Sequence, residues 1–145
     1  MALGKGGANI PESKAMECVY GYGVGLDMTR RDLQGEAKKM GRPWDTGKAF
    51  DHSAPCSAIV PASKIGHPSK GAVVLEVNGQ VKQKGDLAEL IWKIPEMIAY
   101  LSTLFALMPG DLIFTGTPAG VGPVKKGDTL KGTVEGVGTI TFKVV

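Results

Sequence analysis

Apolar residues change period several times along this chain, and the changes mark out its elements. Strand-like runs flank Asn78-Gly79: Val73 to Val77 before it and Gln80 to Gln83 after it, the pattern of a β-hairpin closed by a two-residue turn. A second hairpin is expected from 129–134 and 139–144, around Glu135-Gly136-Val137-Gly138. Between the two the period lengthens. Leu87, Leu90, Ile91, Ile94, Ile98 and Leu101 recur at helical spacing, predicting a helix from Asp86 to about Leu107 that Pro95 kinks or divides. Pro109-Gly110-Asp111 marks a turn, and Leu112-Ile113-Phe114 reads as a short buried strand.

The N-terminal half is less regular. Residues 12–20 follow Pro11 and predict a short helix, and 20–26 predict a buried strand with close backbone approach at its glycines. Asp27 is placed to cap a helix that runs to Met40 and stops at Gly41, with Thr29 and Asp32 at the spacing of a capping box. Residues 42–62, rich in Pro and Ser, read as irregular. There is no internal repeat, low-complexity tract or linker. The pattern predicts one mixed α/β, β-rich domain over residues 1–145.

Composition narrows the class. At 145 residues and 43% hydrophobic, the chain can bury about two-thirds of its unfolded surface. Twenty-one Gly and nine Pro favour short strands and turns over a helical bundle. A net charge of +3 without a Lys/Arg block, and only 6% aromatic residues, argue against nucleic-acid binding. Cys18 and Cys56 make no disulfide framework and no metal-type pair, so two reduced, mostly buried thiols are expected. The N-terminus lacks a long apolar h-region, and the apolar run near Ile98 to Met108 is too short for a bilayer. A cytoplasmic protein without membrane partners is expected.

Chemistry concentrates in three blocks. On a helix beginning near Asp27, that residue, Arg31 and Gln34 would share one face at i, i+4 and i+7. Such a face offers a carboxylate for a hard cation, a fork for a substrate carboxylate, and an amide. Lys48, between Gly47 and Phe50, adds a positionally constrained positive charge. The Gly-rich run Thr115-Gly116-Thr117-Pro118-Ala119-Gly120-Val121-Gly122 follows an apolar stretch but is no phosphate loop, because Gly-x4-Gly-Lys-Ser/Thr is absent. His52 and His67 sit in loops without a partner motif and read as surface residues.

The Asp-x-x-x-Arg-Asp-x-Gln block at 27–34, Gly-Lys-x-Phe at 47–50, and Pro-Gly-Asp at 109–111 followed by Thr-Gly-Thr-Pro-x-Gly-Val-Gly at 115–122 together resemble the fumarylacetoacetate hydrolase family. The similarity is to its small branch acting on acylpyruvates and oxaloacetate. It implies a folded β-roll with a few short helices, a homodimer, and a small 2-oxo acid as substrate. Asp27 would be a ligand to Mg²⁺ or Mn²⁺, Lys48 and Gln34 would stabilise a pyruvate enolate, and Arg31, Thr117 and Gly116 would bind the substrate. The family's Glu-x-Glu metal pair and mobile lid would lie upstream of Met1, so a domain truncated at its N-terminus is expected. The readings left open are acylpyruvate hydrolysis or oxaloacetate decarboxylation, a 2-hydroxyhepta-2,4-diene-1,7-dioate isomerase or decarboxylase, and an inactive truncated relative.

Overall fold

The computed structural model describes residues 1–145 and holds two antiparallel sheets. The smaller is β1 (Ala2–Leu3), β2 (Val19–Tyr22) and β3 (Val60–Pro61), in that order. The larger comprises β4 (Ala72–Val77), β5 (Gln80–Asp86), β6 (Thr129–Val134) and β7 (Gly138–Lys143), ordered β5-β4-β6-β7. Five helices accompany them: α1 (Glu12–Ala15), α2 (Arg31–Lys39), α3 (Asp45–Lys48), α4 (Ala62–Ile65) and α5 (Ile94–Leu104). The mixed, β-rich class expected from the sequence is the one found.

Both predicted hairpins form. Asn78 and Gly79 take φ of 52° and 77°, the two left-handed positions that a type I′ turn requires. The Asn78 side chain then donates to Asp128 Oδ1 and accepts from Thr129 N, each at 2.9 Å, so the turn is stitched to the start of β6. Leu75 of β4 faces Gln83 while Glu76 faces Val81, which leaves Lys82 as the extra residue of a β-bulge. That bulge reverses the alternation beyond it: Val81 is exposed and Gln83 is buried.

Two small cores support the sheets. Leu3, Ala15, Cys18, Ile98 and Leu107 pack where α1 and α5 meet β1, and Ile98 is completely buried. Leu26, Val77 and Leu130 form the second, under the larger sheet.

Several expectations need correction. α2 begins at Arg31, not at Asp27, and its cap residue Arg30 makes no side-chain capping bond. The reason is tertiary. Leu26 N–H donates to Pro55 O, Met28 N–H to Ser53 O and Arg30 N–H to Gly47 O, at 2.8–3.0 Å. These alternate donors hold 26–30 extended, so the helix starts only where they end. Asp27 therefore shares no helix face with Arg31 and Gln34.

The long helix predicted from Asp86 divides, with a 3₁₀ turn at Leu87–Glu89 and α5 at Ile94–Leu104. Pro95 lies in the first turn of α5, where its missing N–H costs nothing. Glu96 reaches back to accept from Lys93 N–H at 2.6 Å. The strand predicted over 20–26 is confined to Val19–Tyr22, with one further bridge between Gly25 and Cys56. Leu112 to Phe114 contribute only an isolated bridge, from Leu112 to Ala2, and Leu112 and Phe114 are exposed. Cys18 is buried as expected, whereas Cys56 is exposed.

Candidate functional site

The extended conformation of 26–30 has a direct chemical consequence. In an extended chain, residues two apart point to the same side. Asp27 and Thr29 accordingly share a side, and Lys48 lies on it. Its Nζ donates to Asp27 Oδ1 at 2.5 Å and to Thr29 Oγ1 at 3.0 Å. Lys48 reaches this position because α3 packs tightly against the start of α2. A Cβ at Gly47 would meet Gln34 N at 2.9 Å and Arg30 O at 3.2 Å, so glycine permits the approach. The Arg30 guanidinium covers the Phe50 ring at 4.3 Å from its centroid, fixing the end of the same loop.

Arg31 and Gln34 are one turn apart on α2. Arg31 Nη1 donates to Gln34 Oε1 at 2.6 Å, which commits the amide oxygen and leaves the amide NH₂ as a donor. Arg31 is exposed, with most of its guanidinium donors free for a ligand carboxylate.

The third block sits on the larger sheet. The loop at 116–120 lies along β5, and the buried Gln83 holds it. Its Nε2 donates to Thr117 Oγ1 at 2.8 Å and to Pro118 O at 2.6 Å. Gly120 allows the loop backbone to rest directly on the strand, where a Cβ would lie 2.2 Å from Lys82 O.

These blocks border one cavity of about 1080 Å³, whose wall includes Asp27, Arg31, Gly116 and Thr117. The two segments are far apart in the sequence, and the fold joins them. Lys48 and Gln34 do not line the cavity; they stand behind Asp27 and Arg31, to which they are bonded. Sequence reasoning missed Thr29 and Gln83. Thr29 was read only as part of a cap. Gln83 carried no signal, because its burial follows from the Lys82 bulge.

A neighbouring apolar cavity of about 570 Å³ shares Gly116 and Thr117 with the first and is lined on its far side by Tyr22, Leu87 and Trp92. Tyr22 is buried, its hydroxyl hydrogen-bonds to His67 Nδ1 at 2.6 Å, and burial pushes its phenol up to about 12. His67 is exposed, as its loop position suggested.

For a divalent cation the donor set is thin. No three His, Cys, Asp or Glu side chains cluster anywhere in the chain. Asp27 and Asp32 are the only carboxylates on the wall of the larger cavity, and Asp27 is half-exposed with one oxygen engaged by Lys48. A hard cation needs about six oxygen ligands and rarely settles on a single carboxylate. The residues of this chain do not by themselves make a metal site. No helix is long and apolar enough to cross a membrane.

Comparison with known proteins places the chain among relatives. A fumarylpyruvate hydrolase from Ralstonia sp is 52% identical over 144 residues, covering 99% of this chain and 74% of that protein. A mitochondrial oxaloacetate tautomerase from Mus musculus is 48% identical over 142 residues, covering 98% of this chain and 64% of that protein. The crystal structure of fumarylpyruvate hydrolase from Pseudomonas aeruginosa in complex with Mn²⁺ and pyruvate superposes with a TM-score of 0.96 at 53% identity. It is matched over 99% of this chain and 62% of its own, so the chain spans less than two-thirds of that relative. The family described as fumarylacetoacetate (FAA) hydrolase, C-terminal, matches residues 1–145. The chain belongs to the fumarylacetoacetate hydrolase family, a family of enzymes.

Proposed function

We propose that the larger cavity receives a small 2-oxo acid of the acylpyruvate or oxaloacetate kind, and that its residues stabilise the pyruvate enolate released when a C–C bond breaks. One observation carries this reading: the fold brings Asp27 and Arg31 against Gly116 and Thr117 across a single cavity, with Lys48 bonded to Asp27. The Pseudomonas relative, whose structure holds Mn²⁺ and pyruvate, supports the substrate class.

The roles follow from the donors. Arg31 and the Thr117 hydroxyl, beside the exposed backbone of Gly116, hold the substrate carboxylate. Gln34, which does not line the cavity, orients Arg31 by accepting from its guanidinium. Lys48 supplies positive charge at the same end. In acylpyruvate hydrolysis, water adds to the acyl carbonyl and the C–C electron pair passes to the pyruvate fragment. In oxaloacetate decarboxylation, the same pair is left behind as CO₂ departs. Either route produces the enolate, which then takes a proton. The donors of this chain do not make a metal site, so no step proposed for it runs through a metal ion. The charge handling proposed for the chain itself therefore rests on Lys48, Arg31 and Thr117.

The test is pyruvate release from oxaloacetate and from fumarylpyruvate, with Mn²⁺ present, by the chain and by Lys48→Met. Turnover that falls about a hundredfold or more in Lys48→Met is expected, the usual cost of removing a donor at a developing oxyanion. Turnover insensitive to that change, substrate loss without C–C scission, or no turnover would contradict the proposal.

A further inference from the structure

Thr117 is exposed, yet its hydroxyl is not free to turn as it pleases. Gln83 approaches it from beneath and is buried, with 8% of its surface exposed. Its amide nitrogen lies 2.8 Å from Thr117 Oγ1 and 2.6 Å from the Pro118 carbonyl. The second contact fixes the orientation of the amide, because a carbonyl oxygen only accepts: the NH₂, not the oxygen, must face the loop. Each amide hydrogen then serves one acceptor. Thr117 Oγ1 is thus an acceptor towards Gln83, and its own proton is left to point away from Gln83, on the side of the two cavities that Thr117 borders.

The loop has little room to escape this arrangement. A Cβ at Gly120, where φ is +97°, would lie 2.2 Å from Lys82 O, so the backbone rests on the strand there. A Cβ at Gly85 would come within 3.0 Å of the Pro118 ring. The Lys82 bulge is what turns Gln83 inward to meet the loop between these two contacts.

We infer that Gln83 is a positioning residue: its buried amide sets the polarity of the Thr117 hydroxyl, so that this hydroxyl donates to the carboxylate of a ligand in the larger cavity. The inference rests on the reading of that cavity as a 2-oxo acid site. A carboxylate accepts and never donates, so a hydroxyl free to rotate would spend part of its time aimed wrongly. Gln83 removes those orientations. It acts through Thr117 and does not itself need to touch the ligand.

The test is isothermal titration of oxalate, a planar mimic of the pyruvate enolate, in the presence of Mn²⁺. The proteins are the chain, Thr117→Val, Gln83→Met and the double variant. Met keeps the length of Gln and removes both donors. If Gln83→Met does not fold by circular dichroism, Gln83→Asn replaces it, since the shortened amide no longer reaches either acceptor. Thr117→Val should weaken oxalate about tenfold or more, the worth of one hydrogen bond to a charged group. Gln83→Met should weaken it about three- to tenfold, and should weaken it no further once Thr117 is Val. A purely structural Gln83 would harm the double variant as well, because the backbone of Gly116 would still shift. Loss of affinity that multiplies in the double variant, or Gln83→Met binding like the parent, overturns the inference alone. No oxalate binding by the parent, or full binding by Thr117→Val, overturns the reading of the cavity and the inference with it.

Discussion

Gly47→Ala probes the contact that places Lys48. The added Cβ would lie 2.9 Å from Gln34 N, 3.1 Å from Gln34 Cβ and 3.2 Å from Arg30 O. Two of those three atoms are backbone, so no flexible side chain can swing aside and α3 itself must move. Overpacking of this kind costs about 1–3 kcal/mol. Alanine returns up to about 1 kcal/mol over glycine in a helix, and less in a helix as short as α3. The steric cost prevails, and a net loss of about 1–2 kcal/mol is expected, or about 2–8 °C in Tm for a domain near this size. Gly35, inside α2, is the internal control. A Cβ there meets nothing within 4 Å, so Gly35→Ala should leave stability unchanged or raise it by up to about 1 kcal/mol. Thermal melts of the two variants, with oxalate affinity measured alongside, check the argument. Gly47→Ala should also weaken oxalate, since moving α3 draws Lys48 away from Asp27 and Thr29. Two alanine variants with the same sign of stability change, or a Gly47→Ala protein that binds oxalate unaltered, would refute it.

Asp27→Asn in metal-free buffer should strengthen oxalate binding about 1.4- to 5-fold, the range of an exposed ion pair, because it frees Lys48 and removes a repelling charge; weaker binding on titration would contradict this. Ile98→Ala should lower stability by about 2–5 kcal/mol in chemical denaturation, because Ile98 is wholly buried where α1 meets α5. Asp128, held below the ordinary carboxylate range by the Asn78 side chain and the Lys125 N–H, should contribute stability that is present above its unfolded pKa and fades as pH falls through its lower folded value. Asp128→Asn should flatten the acid limb of a stability–pH curve below about pH 4, and an unchanged limb would count against it.

How much of this was legible in the sequence depends on whether a local rule decided the outcome. Asn78-Gly79 announced its hairpin because both residues tolerate positive φ, and both adopt it. The family resemblance singled out segments far apart in the sequence, and four of their residues, Asp27, Arg31, Gly116 and Thr117, border one cavity, whereas Lys48 and Gln34 do not. The geometry inferred for Asp27 was wrong for a physical reason. Helix propensity near 27–30 yielded to three tertiary hydrogen bonds to Pro55, Ser53 and Gly47, partners no local window contains. Their effect was to replace a helical face with an extended one, which is how Lys48 came to bond both Asp27 and Thr29. Gln83 was hidden differently. Strict alternation would have put it on the same side as Val81, and the single extra residue at Lys82 separates them. Pro95 was correctly seen as an interruption, but its usual role in a first turn explains why it begins α5 without bending it.

The most direct test of the central claim is to follow backbone amide NMR shifts of the chain as oxalate is added with Mg²⁺. The shifts should gather in 27–34 and 115–120, on either side of the larger cavity, and leave α1 and β7 undisturbed. Shifts centred on Tyr22, Leu87 and Trp92 around the neighbouring apolar cavity, or no shifts at all, would contradict it.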